Sequence, residues 1–396
     1  MKFKRYFLGL SIIYIVSGLI MWSIPSVAGD PGVFPDKVVV GSVADLSGPS
    51  VHATKVFMEA SRACFAKAYE DKILSRKIII ANEDGGYVPT MTVKAARLLL
   101  ERDKIFCFFI SSGTSSTLAL NALLEEQKIP LIGAGSQADA MAVPPKRYIF
   151  QTFTTFSDQM KIVLDYIIEK SGKDAKVAIF YQDDEMGYDG LKGFQEQTKK
   201  YGMTSVAEVS FKRGAIDLSS QALKLQSTHP DWVLLHSMWV EGSKLLKEAQ
   251  RISWQPQFIG TGAMVDENLF KLAGDAIHYG KPLFGVATLH PWNGDSWGAK
   301  EYRDTLKKYE PDAVPTTFGT WGYGWAKVLV EGLRRIEGEP TREKLIHALE
   351  TFKDVDTGIF PPLTFGPNLR KGSKGGMIVV VKENTFVPMT GWRDVK

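Results

Sequence analysis

One stretch of the sequence, residues 105–132, reads IFCFFISSGTSSTLALNALLEEQKIPLI. Its first apolar run, Ile105–Ile110, has the length and composition of a buried strand. A polar loop then leads into a predicted helix over Ser115–Gln127, and Pro130–Ile132 is predicted to be the next strand. Two strands joined by a helix of this length predict a parallel pair with its crossover.

The same alternation of apolar runs and amphipathic stretches extends on both sides of this unit. It begins again after Arg147–Thr152, so two series of similar length predict an α/β fold with two doubly wound parallel-sheet lobes. The other predicted strands are Lys37–Val43, Arg76–Ala81, Lys176–Tyr181, Thr204–Phe211, Trp232–His236, Gln257–Ile259, Met377–Lys382 and Thr385–Met389. Predicted helices include Thr90–Glu101, Glu241–Arg251, Ala299–Tyr309, Thr320–Glu337 and Thr341–Glu350.

Composition excludes several classes of protein. The chain has 396 residues, of which 44% are hydrophobic and 23% charged, a mixture typical of globular proteins and not of disordered, collagen-like or multi-span membrane chains. The net charge is +4, and three of its basic residues, Lys2, Lys4 and Arg5, lie at the very start. The charge balance therefore gives no indication of nucleic-acid binding.

The first 28 residues have the features of a secretory signal. Basic residues precede the charge-free run Tyr6–Trp22, and small residues stand at Ser26 and Ala28. We therefore expect cleavage near Ala28 and a mature protein in the periplasm. A retained membrane anchor is the alternative, although the run is shorter than the ~20 residues that span a bilayer.

The sequence contains two cysteines, Cys64 and Cys107. Both fall in apolar stretches, so they are expected to be small buried hydrophobic residues. A disulfide between them remains an open alternative in an oxidising compartment.

Five segments together resemble the solute-binding proteins of ABC importers of the branched-chain amino-acid (Leu/Ile/Val) type, and the similarity runs along essentially the whole mature chain. Each segment is a weak signal alone, but their order and spacing are specific. They are Val43–Pro49, Glu83–Pro89, Gly113–Thr117, Tyr181–Gly190 and Gly322–Gly324. Asp45 in the first segment has no assigned role and is expected in a solvated turn.

The resemblance implies the type I periplasmic binding fold, in which two lobes are joined by three crossovers and a ligand binds in the cleft between them. The implied lobes are residues 30–151 with 286–355, and residues 152–285 with 356–396. The implied function is to trap a small organic ligand by hinge closure and deliver it to an inner-membrane permease. The protein is expected to act as a monomer without cofactor, metal or nucleic acid.

Candidate ligand contacts in the first lobe lie in loops after strands, where ligands of such sheets bind. Gly113, Thr114 and Ser115 open a predicted helix, whose first N–H groups lack internal partners, although capping by a serine would also explain these residues. The resemblance implies that this loop holds an acid group of the ligand. It adds Gly135, Ser136 and Gln137 as the next contacts.

The second lobe departs from the pattern of amino-acid binders. Met186 replaces their aromatic residue, and Met238 and Trp239 fall at a family contact position, where packing is an equally good explanation for Trp239. Gly262 stands where those proteins commonly place a carboxylate for the ligand's ammonium. A buried ammonium without a partner is strongly unfavourable, so a carboxylate, amide or aromatic acid is expected in place of a zwitterionic amino acid.

No enzyme is predicted, because the sequence lacks the zinc-protease, redox-cysteine, phosphate-loop and nucleophile-elbow motifs. The six histidines show no metal-ligand spacing, and Asp183–Glu185 is expected at a solvated loop edge. Two alternatives in function remain at this point. They are a ligand-sensing subunit of a signalling receptor and, less favoured, an amino-acid binder.

Overall fold

The computed structural model describes residues 29–396, which form two β-sheets flanked by helices. The first sheet is entirely parallel, with strand order β2-β1-β3-β4-β5. Its strands are β1 (Lys37–Val43), β2 (Lys77–Asn82), β3 (Phe108–Ser111), β4 (Leu131–Ile132) and β5 (Ile149–Phe150). The interleaved helices are α1 (Val51–Glu70), α2 (Pro89–Leu98), α3 (Thr114–Ala119) and α4 (Asn121–Gln127).

The second sheet has the order β12-β11-β10-β9-β8-β6-β7, and its strands β6 to β10 are parallel. The hairpin of β11 and β12 adds to β10 in antiparallel orientation. The strands are β6 (Val177–Gln182), β7 (Ser205–Phe211), β8 (Trp232–His236), β9 (Gln257–Gly260), β10 (Phe284–Ala287), β11 (Met377–Lys382) and β12 (Thr385–Pro388). The helices are α5 (Phe156–Ser171), α6 (Glu185–Tyr201), α7 (Ser219–Ser227), α8 (Trp239–Arg251) and α9 (Asn268–Ala273).

Three helices of the C-terminal third return to the first sheet: α10 (Trp297–Tyr309), α11 (Thr317–Arg334) and α12 (Arg342–Glu350). Of these, α10 and α11 pack along α1. The ring of Phe57 on α1 lies 5.2 Å from that of Trp325 on α11, centroid to centroid. Burial of these aromatic faces fixes α11 beside the interface between the sheets.

The chain passes between the two sheets three times: after β5, after β10 and after α12. The first and third passages run side by side, since Gln151 forms a parallel bridge with Lys371. The predicted two-lobe parallel fold is confirmed. The predicted lobe boundaries stay a prediction, and β10 places residues 286 and 287 in the second sheet, two residues beyond the predicted division.

Several local predictions are wrong in detail. The single helix expected over Ser115–Gln127 is two short helices that meet at Leu120, and the one expected over Thr90–Glu101 ends in a π-turn from Leu99. Helix α8 begins two residues earlier than expected, at Trp239. In the first two cases the apolar periodicity continues through a backbone change that it does not encode.

The cysteines and Asp45 are buried. Cys64 and Cys107 are free thiols, and burial raises the pKa of each to about 12. Asp45 is fully buried, so the expectation of a solvated turn is wrong. Its carboxylate accepts hydrogen bonds from the backbone N–H groups of Gly48 and Ser50 and from the Ser50 hydroxyl, and therefore shapes the start of α1.

Candidate functional site: a cleft between the two sheets

A cavity of about 60 Å³ lies between the two lobes, which are called the first and second domain from here on. Loops after β3 and β4 form one side, the start of α6 and α8 the other, and α11 adds an aromatic wall. The lining consists of Ser50, Ala53, Phe57, Tyr87, Ser111–Thr114, Gly135–Gln137, Phe156, Met186, Met238, Ala263, Phe318 and Trp321. It includes seven of the ten predicted contact residues: Gly113, Thr114, Gly135, Ser136, Gln137, Met186 and Met238.

The two first-domain loops are locked to each other. The Thr114 and Ser136 hydroxyls lie 2.9 Å apart in a hydrogen bond, and the backbone N–H of Gly113 donates to the Gly135 carbonyl. A Cβ at Gly135 would come within 2.0 Å of the Ser111 carbonyl oxygen, so only glycine allows this approach. The hydroxyls are thereby held rigidly at the cavity surface.

The start of helix α3 differs from what the sequence predicts. With six residues it is too short to give the extended helix dipole expected of Ser115–Gln127. The polar character of this side therefore comes from the Thr114, Ser112 and Ser136 hydroxyls and the loop amides.

Three predicted contacts lie outside the lining. The Ser115 hydroxyl donates to Glu185 at 2.5 Å, which joins α3 to α6 across the domains. Trp239 is buried at the start of α8, with its ring 4.9 Å from that of Phe318. Gly262 lies in a single helical turn after β9, where its N–H donates to the Gln159 side chain at 2.8 Å.

Sequence reasoning missed the aromatic residues of the site. Phe318 and Trp321 occupy one face of α11, and their rings are 4.6 Å apart. The spacing of three residues between them was the available signal, but a buried core stripe has the same spacing. Only the second domain opposite α11 makes this face part of a cavity.

Tyr87 is a further lining residue that was not predicted. Its ring packs on Gly113, where a Cβ would come within 2.7 Å of it. The guanidinium of Arg213, from the second domain, lies 4.6 Å from the ring centroid, a cation–π distance. Arg213 also pairs with Asp184, so a charged residue pair covers Tyr87 from the opposite domain.

His236, a histidine without an assigned role, supports the second-domain wall from behind. It is fully buried between Thr261 and the Met186 carbonyl, at 3.1 and 2.9 Å. Burial lowers its pKa to about 4, so the ring is neutral near pH 7. Its Nε2 then donates to Met186, and its Nδ1 accepts from the Thr261 hydroxyl.

The acids of Asp183–Glu185 do not form a catalytic pair. The Asp184 carboxylate caps α6 by accepting the N–H groups of Met186 and Gly187, whereas Asp183 pairs with Lys212. Asp184 is therefore a structural helix cap and not simply part of a solvated loop edge. The cap also fixes Met186 at the edge of the cavity.

The electrostatic character of the cleft is its most informative property. Within residues 29–396, no Asp, Glu, Lys, Arg or His side chain is among the lining residues. The polar groups present are hydroxyls, backbone amides and the Gln137 amide, set in an otherwise apolar surface. Such a surface suits a largely apolar molecule with one polar end.

Known proteins share the sequence pattern and the fold of this chain. The family model for periplasmic binding proteins matches residues 37–385. The chain belongs to the periplasmic binding protein family. A curated relative, the Leu/Ile/Val-binding protein homolog 7 of Brucella abortus, is 21% identical over 322 residues, which cover 76% of this chain and 78% of the relative.

Solved structures similar to this periplasmic binding protein share its fold. A branched-chain amino acid ABC transporter protein of Thermus thermophilus with bound valine has a TM-score of 0.81 at 22% identity, and covers 91% of this chain and 97% of its own. A fatty acid ABC transporter substrate-binding protein of Thermomonospora curvata has a TM-score of 0.80 at 20% identity, with coverages of 92% and 94%.

Membership of the periplasmic binding protein family implies a location outside the cytoplasm. The predicted signal segment, residues 1–28, lies outside the described residues. From residue 29 onward, no helix combines the length and apolar character needed to cross a membrane.

Proposed function

We propose that this periplasmic binding protein is the solute receptor of an ABC importer, which traps a small organic molecule between its domains and delivers it to a permease. The ligand we propose is a carboxylate, amide or aromatic acid with an apolar body. Solved neighbours of the same fold are named as ABC transporter proteins, one with bound valine and one for fatty acids. Because these two proteins are named for ligands of different chemistry, the ligand class proposed here is argued from the residues that line the cleft.

The uncharged lining is the observation that carries the proposed ligand class. An α-amino acid brings an ammonium group, and burying it without a carboxylate partner is strongly unfavourable. Thr114, Ser136 and the loop amides provide neutral donors that suit a carboxylate or amide oxygen. Phe57, Phe318 and Trp321 provide the surface for an apolar body.

Contacts across the cleft support a mechanism of hinge closure. Besides Ser115 with Glu185 and Tyr87 with Arg213, the Asp189 carboxylate of α6 accepts the backbone N–H of Asp139 at 3.0 Å. These groups separate when the domains open. A ligand that touches both domains binds the closed state better and shifts the population toward it.

A thermal-shift screen tests this function. The probes are carboxylic acids, their primary amides and the α-amino acids with the same branched aliphatic, linear or benzyl body. Acids or amides should raise the melting temperature by mass action, whereas the matched amino acids should not. Stabilisation by α-amino acids alone would overturn the proposed ligand class.

Two threonine variants serve as a matched pair for the hits. Thr114→Val removes a hydroxyl that lines the cavity, and Thr198→Val removes a buried hydroxyl that donates only to carbonyl oxygens of its own helix, α6. Loss of one hydrogen bond to a charged oxygen weakens binding by about ten- to a hundredfold, so only Thr114→Val should do so. Equal affinities in both variants would place the acid group elsewhere.

A further inference from the structure

The side-chain amide nitrogen of Gln137 has no hydrogen-bond partner, although Gln137 is only 1% exposed. Gln137 lines the cavity between the domains. Buried donors are almost always paired in folded proteins, so an unpaired one in a ligand cleft points to a group supplied by the ligand.

A neighbouring glutamine determines which end of the Gln137 amide is free. Gln159 is fully buried, and its oxygen accepts the Gly262 N–H at 2.8 Å while its nitrogen donates to the Thr154 carbonyl at 2.8 Å. Backbone groups cannot exchange donor for acceptor, so Gln159 has one allowed orientation. Its nitrogen also donates to the Gln137 oxygen, which leaves the Gln137 nitrogen as the free end.

This network also explains the environment of Gly262. A Cβ at that position would lie 3.2 Å from the Gln159 oxygen and 3.5 Å from the Gln137 oxygen. The two glutamines therefore fill the space in front of Gly262. A carboxylate there would face their oxygens, with which it has no favourable contact.

We propose that Gln159 is a positioning residue that holds Gln137 as a hydrogen-bond donor, and that the ligand places a carbonyl or carboxylate oxygen on the Gln137 nitrogen. This inference rests on the proposed function and narrows its substrate class to organic acids or amides with an oxygen acceptor at this point, such as 2-oxo acids. A ligand ammonium would meet a donor there and be rejected, independently of the uncharged lining.

The test compares three matched probes on the full-length mature protein: 4-methyl-2-oxopentanoate, 4-methylpentanoate and leucine, with phenylpyruvate, 3-phenylpropanoate and phenylalanine as the aromatic set. Affinities are measured by calorimetry at up to millimolar concentrations. We expect the 2-oxo acid or the plain acid to bind at least tenfold more tightly than the amino acid in the set that fits.

Variants separate the role of each glutamine. Gln137→Met should weaken the acids by about tenfold and reduce the ratio of acid to amino-acid affinity. Gln137→Glu should reverse the ratio, whereas Gln127→Glu, which adds the same charge at an exposed site, should leave it unchanged. Gln159→Met frees the Gln137 amide to turn, so the ratio should fall although Gln137 is still present.

The affinity ratio is the readout that a purely structural role of Gln159 would not change. If acids bind but both methionine variants keep the wild-type ratio, this inference is wrong while the proposed function stands. If no acid, oxo acid or amide binds, the proposed ligand class fails as well. Should Gln159→Met not fold, Gln137→Met and Gln137→Glu decide the donor role.

Discussion

Replacement of His236 by glutamine should change how the stability of the protein depends on pH. The unfolded chain takes up a proton at this histidine below its ordinary pKa of 6.5, whereas burial lowers the folded-state pKa to about 4. Protonation therefore favours unfolding, and His236 costs stability as the pH falls from 6.5 toward 4. Glutamine does not titrate, so this contribution disappears in His236→Gln.

The size of the effect follows from the shift of the pKa. A difference of one between two pKa values corresponds to about 1.4 kcal/mol. The difference of about 2.5 between the unfolded and folded states therefore lowers the free energy of unfolding by at most about 3 kcal/mol. At pH 5, where folded His236 is still mostly neutral, the loss relative to pH 8 is about 2 kcal/mol.

Asp189 acts in the opposite direction and hides part of this effect in the wild type. Burial, and then the nearby Asp139 carboxylate, raise the pKa of Asp189 to about 7. The folded state therefore holds this proton up to a higher pH than the unfolded chain does. The contribution of Asp189 to the stability of the protein is then lost as the pH rises from about 4 to 7. A single pH profile of the wild type would therefore combine these opposed contributions with that of Asp266, whose pKa burial also raises to about 7.

The assay is urea unfolding of wild type and His236→Gln at several pH values from 4.5 to 8, followed by tryptophan fluorescence. Because Asp189 is common to both proteins, the difference between the two profiles isolates the histidine. Stability of the wild type relative to the variant should fall by about 2 kcal/mol between pH 8 and pH 5. Parallel profiles would refute a buried neutral imidazole at position 236.

Four further outcomes are expected. In Asp189→Asn the rise in stability on acidification from pH 7 should be smaller than in the wild type, with the remainder due to Asp266, and an unchanged rise would show that Asp189 does not contribute. Gly135→Ala should lower the melting temperature and the ligand affinity because its Cβ would overlap the Ser111 carbonyl, whereas Gly391→Ala, which meets no atom within 4 Å, should change neither. Arg213→Met removes the cation on Tyr87 and the partner of Asp184, so small-angle scattering at a fixed subsaturating ligand concentration should show more of the open form; an unchanged radius would contradict the closure contact. Cys64 and Cys107 should react with a thiol reagent only after unfolding and yield two thiols without reductant, and a yield of none would show a disulfide.

Local patterns made much of the fold predictable. Apolar runs such as Trp232–His236 are strands because their side chains are buried on both faces of a parallel sheet, which needs no information from distant residues. The position after a strand made Gly113–Thr114 a candidate contact, with helix capping as the alternative, and the resemblance to solute-binding proteins added Gly135–Gln137; that these residues bind the ligand stays a prediction. Loops at the carboxyl ends of neighbouring parallel strands meet at one edge of the sheet.

Other parts of the site depend on pairs of residues far apart in the chain. Trp239 and Ser115 directly follow the cavity residues Met238 and Thr114 in the sequence, yet neither lines the cavity. The Trp239 ring packs on Phe318 and the Ser115 hydroxyl donates to Glu185, and no spacing along the chain specifies these partners. The burial of Asp45 was not predicted, because its carboxylate oxygens accept hydrogen bonds from the turn amides of Gly48 and Ser50. Composition does not reveal this local geometry.

The sequence by itself determined that this chain forms two parallel-sheet domains with small polar residues at the strand ends, because burial periodicity and turn residues act over short stretches. The tertiary structure alone decided that the cleft is uncharged, aromatic on its α11 side, and provided with a glutamine donor. Those properties come from which side chains of two domains face one another and which hydrogen bonds remain unmade, and both are set only when distant segments pack together.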